Sequence, residues 1–298
     1  MKLKKNSFMQ GAFIATVGIV LCKIMGILYA IPFHSIIGEQ GGALYGYAYN
    51  IYTIFLSISQ AGIPLAMSKI ISEYYTLGYY DAKERAFKIA KRFLFIIGFI
   101  CFLILFIFAD QIGYMIMGNV EGGNTKEDVA FVIRVISTAI LIIPNLSVAR
   151  GYFQGHRFIA PTSISQILEQ LTRVLIIVIG SFLMYRVFHM SLKATVGCAV
   201  FAATIGGVVS YAYLLWKEKQ NKKEFLRQDI KVKEPKITSK EIMKKILFYA
   251  VPFVMIDLFR SLYNSVDVLT LVKTLVNDIG YTAKDAESVM SVISTWGL

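Results

Sequence analysis

Long apolar stretches interrupted by single charged or amide residues set the pattern of this chain. The clearest runs from Phe93 to Ala109, with Lys91 and Arg92 before it and Asp110 after it. Similar stretches cover about Phe8 to Phe33, Ala43 to Ile71, Val129 to Ala149, Pro161 to Tyr185 and Ala194 to Trp216, and a seventh runs from about Ile246 into Leu271. A helix needs roughly 20 apolar residues to cross a hydrocarbon core about 30 Å thick, which stretches of this kind supply. Lipid offers the backbone no hydrogen-bond partner, so such stretches read as helices. The predicted fold class is all-α: a polytopic membrane helix bundle with one complete six-helix lobe and the start of a second.

The polar residues inside the spans recur at helical spacing. In the fifth span Gln166, Glu169, Gln170 and Arg173 fall at i, i+3, i+4 and i+7, on one face. A charge in the bilayer costs roughly 2.5 to 3.5 kcal/mol on insertion scales, so that face turns toward protein or a cavity. Glu169 precedes Arg173 by four residues, the favourable order for a helix ion pair. The two read either as a self-neutralising pair that fixes packing or as part of a binding site. A second stripe, Asp257, Arg260, Asn264 and Asp267, shares one face of the seventh span, where Asp257 offsets part of the Arg260 charge. A third, Asn50, Thr53, Ser57 and Gln60, is uncharged and lies on a span carrying Tyr45, Tyr47, Tyr49 and Tyr52. Those tyrosines suit a membrane-interface belt or a sugar. Lys23 has no carboxylate three or four residues away, so its partner is a carboxylate on another helix, water or an anionic substrate. The candidate substrate-binding residues are therefore Lys23, Arg173, Arg260, Asn50, Gln166 and Gln170, with Glu169, Asp257 and Asp267 as ion-pair or gating groups.

Composition agrees with a bilayer, since 56% of the 298 residues are hydrophobic and only 17% charged. The net charge of +12 raises nucleic acid as a partner, but its distribution argues for topology instead. Basic residues collect at Lys2, Lys4 and Lys5, between Lys83 and Arg92, at Arg150 and Arg157, and most densely between Lys217 and Lys245. The opposite loops hold only Lys126, Arg186, Lys193, Lys273 and Lys284. The positive-inside rule then predicts a multi-pass cell-membrane protein with its N-terminus and the Lys217 to Lys245 segment in the cytoplasm and Asp110 to Asp128 outside. Cys22, Cys101 and Cys198 sit in apolar spans, and His34, His156 and His189 lack ligand spacing, so no metal site is predicted. No nucleophile elbow or phosphate loop is present. Neither enzymatic chemistry nor a cofactor has a candidate site.

The polar segment 217 to 245 divides the chain into residues 1 to 216, a six-helix lobe, and residues 246 to 298. After it the sequence begins again, with Lys244 and Lys245 before a helix carrying Arg260 as Lys4 and Lys5 stand before one carrying Lys23. Internal repeats of this kind are common in transporters. Lys284 to Leu298 reads as the entrance to an eighth helix, as if the second lobe were cut short.

The segment RGYFQGHRFIAPTSISQILEQLTRV, Arg150 to Val174, resembles the stage V sporulation protein B-like polysaccharide-biosynthesis flippases of the multidrug/oligosaccharidyl-lipid/polysaccharide exporter superfamily. The resemblance continues through Lys23 to Tyr74 and into VDVLTLVKTL near the C-terminus. It implies about fourteen helices in two lobes around a central cavity, cationic in the lipid II flippases, with Lys23 at a position where the family commonly has Arg. It also implies the substrate: an undecaprenyl-diphosphate-linked sugar, lipid II or another cell-wall precursor, moved across the membrane by alternating access. A cation-coupled multidrug exporter of the same superfamily and a non-transporting scaffold for cell-wall assembly are the alternatives, and a carboxylate-dominated cavity would mark the exporter.

Overall fold

The computed structural model describes residues 5–60, 62–118, 123–226 and 232–296, and every regular element among them is helical. The first element, α1 (Phe8–Gln60), is broken at Gly38, whose φ of 65° and ψ of −170° belong to no helix. Only glycine takes that conformation without a steric penalty. Past the break the chain turns back on itself: the Phe33 and Tyr45 ring centroids are 5.1 Å apart, whereas twelve residues of straight helix would separate them by about 18 Å. The first two predicted spans are thus the arms of one hairpin.

The second predicted span does not run unbroken to Ile71. Its helix ends at Gln60, and α2 (Ile63–Leu77) restarts after Gly62, which has φ 68°. A Cβ on Gly62 would lie 2.5 Å from Phe253 Cβ, and Pro64 in the first turn has no N–H to continue the earlier helix. α3 (Tyr80–Ile107) follows. The segment expected as an outer loop from Asp110 then contains a short helix, α4 (Ala109–Met117).

α5 (Lys126–Ser137) opens on a capping box, in which the Thr125 side chain accepts from Asp128 N–H and Asp128 accepts from Thr125 N–H. A 3₁₀ turn over Thr138–Leu141 joins it to α6 (Ile143–Gly155). Arg150 therefore lies in a helix and not in the loop that the basic-residue pattern suggested. α7 (Ile159–Leu175) continues into π-turns, α8 (Leu192–Gln220) carries the short α9 (Lys222–Phe225), and α10 (Ser239–Asn277) and α11 (Ala283–Trp296) complete the fold.

Among the described residues, five helical stretches are long and apolar enough to cross a membrane: Met9–Leu77, Tyr80–Ile107, Lys126–Gly155, Ile159–Val187 and Leu192–Gln220. The first, at 69 residues with its break at Gly38, has length for two passes. α10, at 39 residues, also has the length to cross but is not among these five. Large apolar side chains stay exposed around the bundle, Phe95, Phe99, Ile179, Ile256 and Phe259 among them. They form the surface that lipid would cover. Small residues let the helices meet: a Cβ on Gly206 of α8 would stand 2.8 Å from the Glu169 carbonyl oxygen of α7.

At the end of the bundle where α3, α6 and α9 converge, Lys83 is 1% exposed. Its ammonium donates to the Phe225 carbonyl at 2.6 Å and to His156 Nε2 at 3.1 Å, and pairs with Glu84 at 3.2 Å. His156 lies between two helical runs, and its Nδ1 reaches the Tyr152 carbonyl at 2.8 Å. An imidazole that accepts at Nε2 and donates at Nδ1 is neutral. Burial, and then the Lys83 charge, push its pKa from 6.5 down to about 3.

This fixes the sign of a pH effect. Between about pH 6.5 and pH 3 the unfolded chain binds a proton at position 156 that the folded chain refuses, so stability falls as pH drops below about 6.5. Thermal unfolding in detergent should show the melting temperature decreasing from pH 7.5 toward pH 5 in wild type, and less steeply in His156→Gln.

Candidate functional site

Two neighbouring features carry several of the polar residues that the sequence singled out. The first is a cavity of about 460 Å³ enclosed by both arms of α1 together with α10 and α11. One wall is aromatic. Tyr45 and Tyr49 stack with centroids 5.6 Å apart, Phe33 meets Tyr45 edge-on, and Tyr29 lines the same wall. The tyrosines of this span do not form an interface belt: Tyr47 and Tyr52 are buried, and Tyr45 and Tyr49 face the cavity. The lining also includes Asn50, Thr53, Asn264 and Asp267, and His34 stands near Ser291 of α11.

Asn50 also fastens α1 to α10. Its amide donates to the Asn264 carbonyl at 3.3 Å, and its oxygen accepts from the Ser265 hydroxyl at 2.7 Å. Two turns along, Ser57 and Ser261 share a hydrogen bond of 3.0 Å. The buried face of α10 is therefore Ser261, Ser265, Val268 and Val272, next to the stripe of Asp257, Arg260, Asn264 and Asp267 read from the sequence. Small serines four residues apart permit the close approach that charged side chains would prevent. Asp257 and Arg260 are exposed, and among the described residues they form no ion pair, so the predicted mutual offset is not made.

The second feature lies behind the tyrosine wall. Glu169 of α7 accepts from Arg173 at 2.7 Å with one oxygen and from Arg150 of α6 at 2.7 Å with the other. Arg150 also donates to the Ser165 hydroxyl and to the Ser210 hydroxyl of α8, both at 3.0 Å. The carboxylate joins α6 to α7 and Arg150 carries the link on to α8, and the cluster keeps one positive charge in excess. Arg173 Nε is buried without a partner, and the guanidinium lies within electrostatic reach of Tyr45, Tyr49 and Tyr52. The excess charge is thus directed toward the cavity wall.

Lys23 is exposed on the first arm of α1. Helical spacing sets it on the face of Gly26 and Ala30, both of which line the cavity, about one turn away. Gln170 reaches the same region, its Nε2 lying 3.6 Å from where a Gly26 Cβ would stand. Gln166 is half-buried on α7, on the side of Glu169 away from Arg173. The structure thus gathers Asn50, Asp267 and Gln170 in or beside the cavity, puts Arg173 and Glu169 behind its wall, and leaves Arg260 and Asp257 on the outer face of α10. Arg150, Ser165, Ser210 and His34 were not among the candidates. The spacing of Ser147, Arg150 and Gln154 at i, i+3 and i+7 was the available signal that the helix continues through Arg150.

Helices of this number, order and apolar length are those of a multi-pass membrane protein. The fold is similar to that of a multidrug-resistance MATE family transporter of the MOP superfamily in its inward-facing conformation, with a TM-score of 0.64 at 17% identity over 94% of this chain and 60% of that one. Residues 8–280 match the family model described as polysaccharide biosynthesis protein, and the chain belongs to that family. It is 34% identical to the lipid II flippase MurJ of Bacillus subtilis (strain 168) over 91% of this chain and 50% of that protein. It is 26% identical to stage V sporulation protein B of the same organism, over 71% of this chain and 39% of that protein. The chain thus spans half or less of the length of these two relatives.

The shared carboxylate changes what substitutions should do. Without Arg173, Glu169 keeps Arg150 and the cluster becomes a neutral pair; without Glu169, two guanidiniums face each other with no counter-charge. Glu169→Gln should therefore lose the most stability, about 3 kcal/mol, and Arg173→Gln markedly less. The double variant should recover part of the loss. Folded yield by fluorescence-detected size exclusion tests this order, and equal losses for the two single variants would contradict it.

Proposed function

We propose that this chain contributes the substrate-handling part of a flippase that moves an undecaprenyl-diphosphate-linked sugar across the bacterial cytoplasmic membrane by alternating access. The carrying observation is the pairing of an aromatic and amide-lined cavity with a net-positive Arg150, Glu169 and Arg173 cluster behind its wall. Tyrosine rings and amides suit the faces and hydroxyls of a sugar, while a diphosphate is drawn to fixed positive charge in a low-dielectric setting. Lys23 stands about one turn from the cavity with no ion-pair partner among the described residues, and in this reading it meets the diphosphate. The exposed apolar faces of α1 and α10 leave the polyprenyl tail in lipid. Residues 1–216 act as one lobe, 217–245 as a cytoplasmic linker and 246–298 as the beginning of a second lobe. A lipid II flippase among the relatives supports the choice of substrate class.

Asp267 in the cavity favours the cation-exporter reading, and binding measurements separate the two. Purified protein in nanodiscs should bind undecaprenyl diphosphate carrying a saccharide more tightly than a cationic dye. Lys23→Gln should weaken that binding about tenfold and Lys23→Arg less than about threefold, because charge is what the diphosphate reads. Tyr45→Ala should reduce affinity for the sugar-bearing lipid but not for the bare diphosphate lipid. Tighter binding of the dye, lost in Asp267→Asn, would overturn the flippase reading.

The orientation follows from the basic-residue bias. With the native cysteines replaced, Lys126→Cys should react with an impermeant maleimide on intact cells and Lys222→Cys only after permeabilisation. The reverse pattern would invert the topology.

A further inference from the structure

Glu287 of α11 is fully buried, and its surroundings are unlike those of the other carboxylates in the bundle. One oxygen, Oε1, accepts from the Asn124 backbone N–H at 2.8 Å, while Oε2 has no partner. The loop before α5 lies directly on the carboxyl group, since a Cβ on Gly123 would stand 2.7 Å from its carbon. Three further buried polar atoms around it lack partners: Ser291 Oγ one turn along α11, Tyr47 Oη, and His34 Nδ1. Ser291 and His34 both face Gly42 of α1, and Tyr47 is within electrostatic reach of Glu287.

No cation answers this carboxylate. Among the described residues, no Lys or Arg pairs with it. The charge nearest to it from α5 is Asp128, which is negative and is itself held by Lys193 at 3.1 Å and by Thr125. From α10, Lys273 is turned to the Met115 carbonyl, and Asp267 lines the cavity. An ionised Glu287 would be a buried charge with half its hydrogen-bonding capacity unmet, at a cost of several kcal/mol. A protonated Glu287 keeps Oε1 as acceptor for the Asn124 N–H and carries its proton on Oε2, so no unpaired charge is buried.

We propose that Glu287 is a proton-binding site, neutral while α11 is docked against α1. On release, the Oε2–H bond breaks and the proton passes to water that reaches the carboxyl group from the cavity as the junction opens, leaving a carboxylate and a hydronium ion. The carboxylate left behind is unpaired, which loosens the α1 to α11 junction at the cavity wall formed by Met290 and Ile293. That this proton drives transport rests on the flippase reading; the proton site itself does not.

Two measurements on the whole chain in nanodiscs test the site. Infrared spectra across about pH 5 to about pH 9 should contain a protonated-carboxyl C=O band that is absent in Glu287→Gln and weakens toward alkaline pH. With the native cysteines replaced, Met290→Cys should be labelled by maleimide about fivefold faster at the alkaline end than the same cysteine in a Glu287→Gln background, where the neutral amide keeps the junction closed. Comparison at each pH cancels the titration of the thiol. Absence of a Glu287-dependent band at every pH, or thermal stabilisation by sodium over choline that requires Glu287, would overturn the proposal in favour of an ionised or cation-occupied site. A band without binding of the diphosphate lipid would remove the flippase reading and leave the proton site standing.

Discussion

A guanidinium inside a bilayer needs a counter-charge, and this fold meets that need twice with a single carboxylate. Glu169 takes a hydrogen bond from Arg150 on α6 and another from Arg173 on its own helix, while Ser165 and Ser210 accept two more from Arg150. Displacing α6 from α7 would leave a charged group unpaired where water does not replace the partner, and displacing α8 would take a hydrogen-bond acceptor from Arg150. Packing of the central helices and electrostatics of the cavity are therefore one problem. The arrangement that fixes the helices also leaves a positive charge behind Tyr45 and Tyr49.

Glycine provides the other constraint. The cavity exists because α1 folds back at Gly38 and the chain breaks again at Gly62, both at positive φ. A straight α1 would carry Tyr29 and Phe33 far from Tyr45 and Tyr49, with no aromatic wall between them. At Gly62 the geometry also admits α10, whose Phe253 presses on the glycine where any side chain would block it. Backbone freedom at two residues thus decides which side chains can meet.

α10 joins the bundle through weak groups in place of strong ones. Ser57, Ser261, Ser265 and Asn50 hold it to α1 with neutral hydrogen bonds, whereas Asp257 and Arg260 remain outside. A neutral seam can slide or reopen at far lower cost than a buried ion pair. At its first turns the attachment is ionic, with Lys245 paired to Glu73 at 2.5 Å and Lys69 over the Tyr249 ring. The helix is thus held by charged groups near its first turns and by neutral hydrogen bonds further along.

The sequence by itself determined the helical class, because apolar runs of membrane length admit little else. It also determined that Glu169 and Arg173 pair, since a four-residue spacing places them on one face before any other helix is considered. The family could be read from Arg150 to Val174. Tertiary structure alone decided the rest. Arg150 became the third member of the ion cluster because α6 runs two turns past the expected end of its span, and Asn50 became a helix clamp because Asn264 and Ser265 stand more than two hundred residues away in the chain. Helical periodicity reports which residues share a face; it carries no information about which neighbour that face meets. For α10 that neighbour selected Ser261 and Ser265 over Asp257 and Arg260, because close contact between two backbones favours the smallest side chains, whatever charge lies beside them.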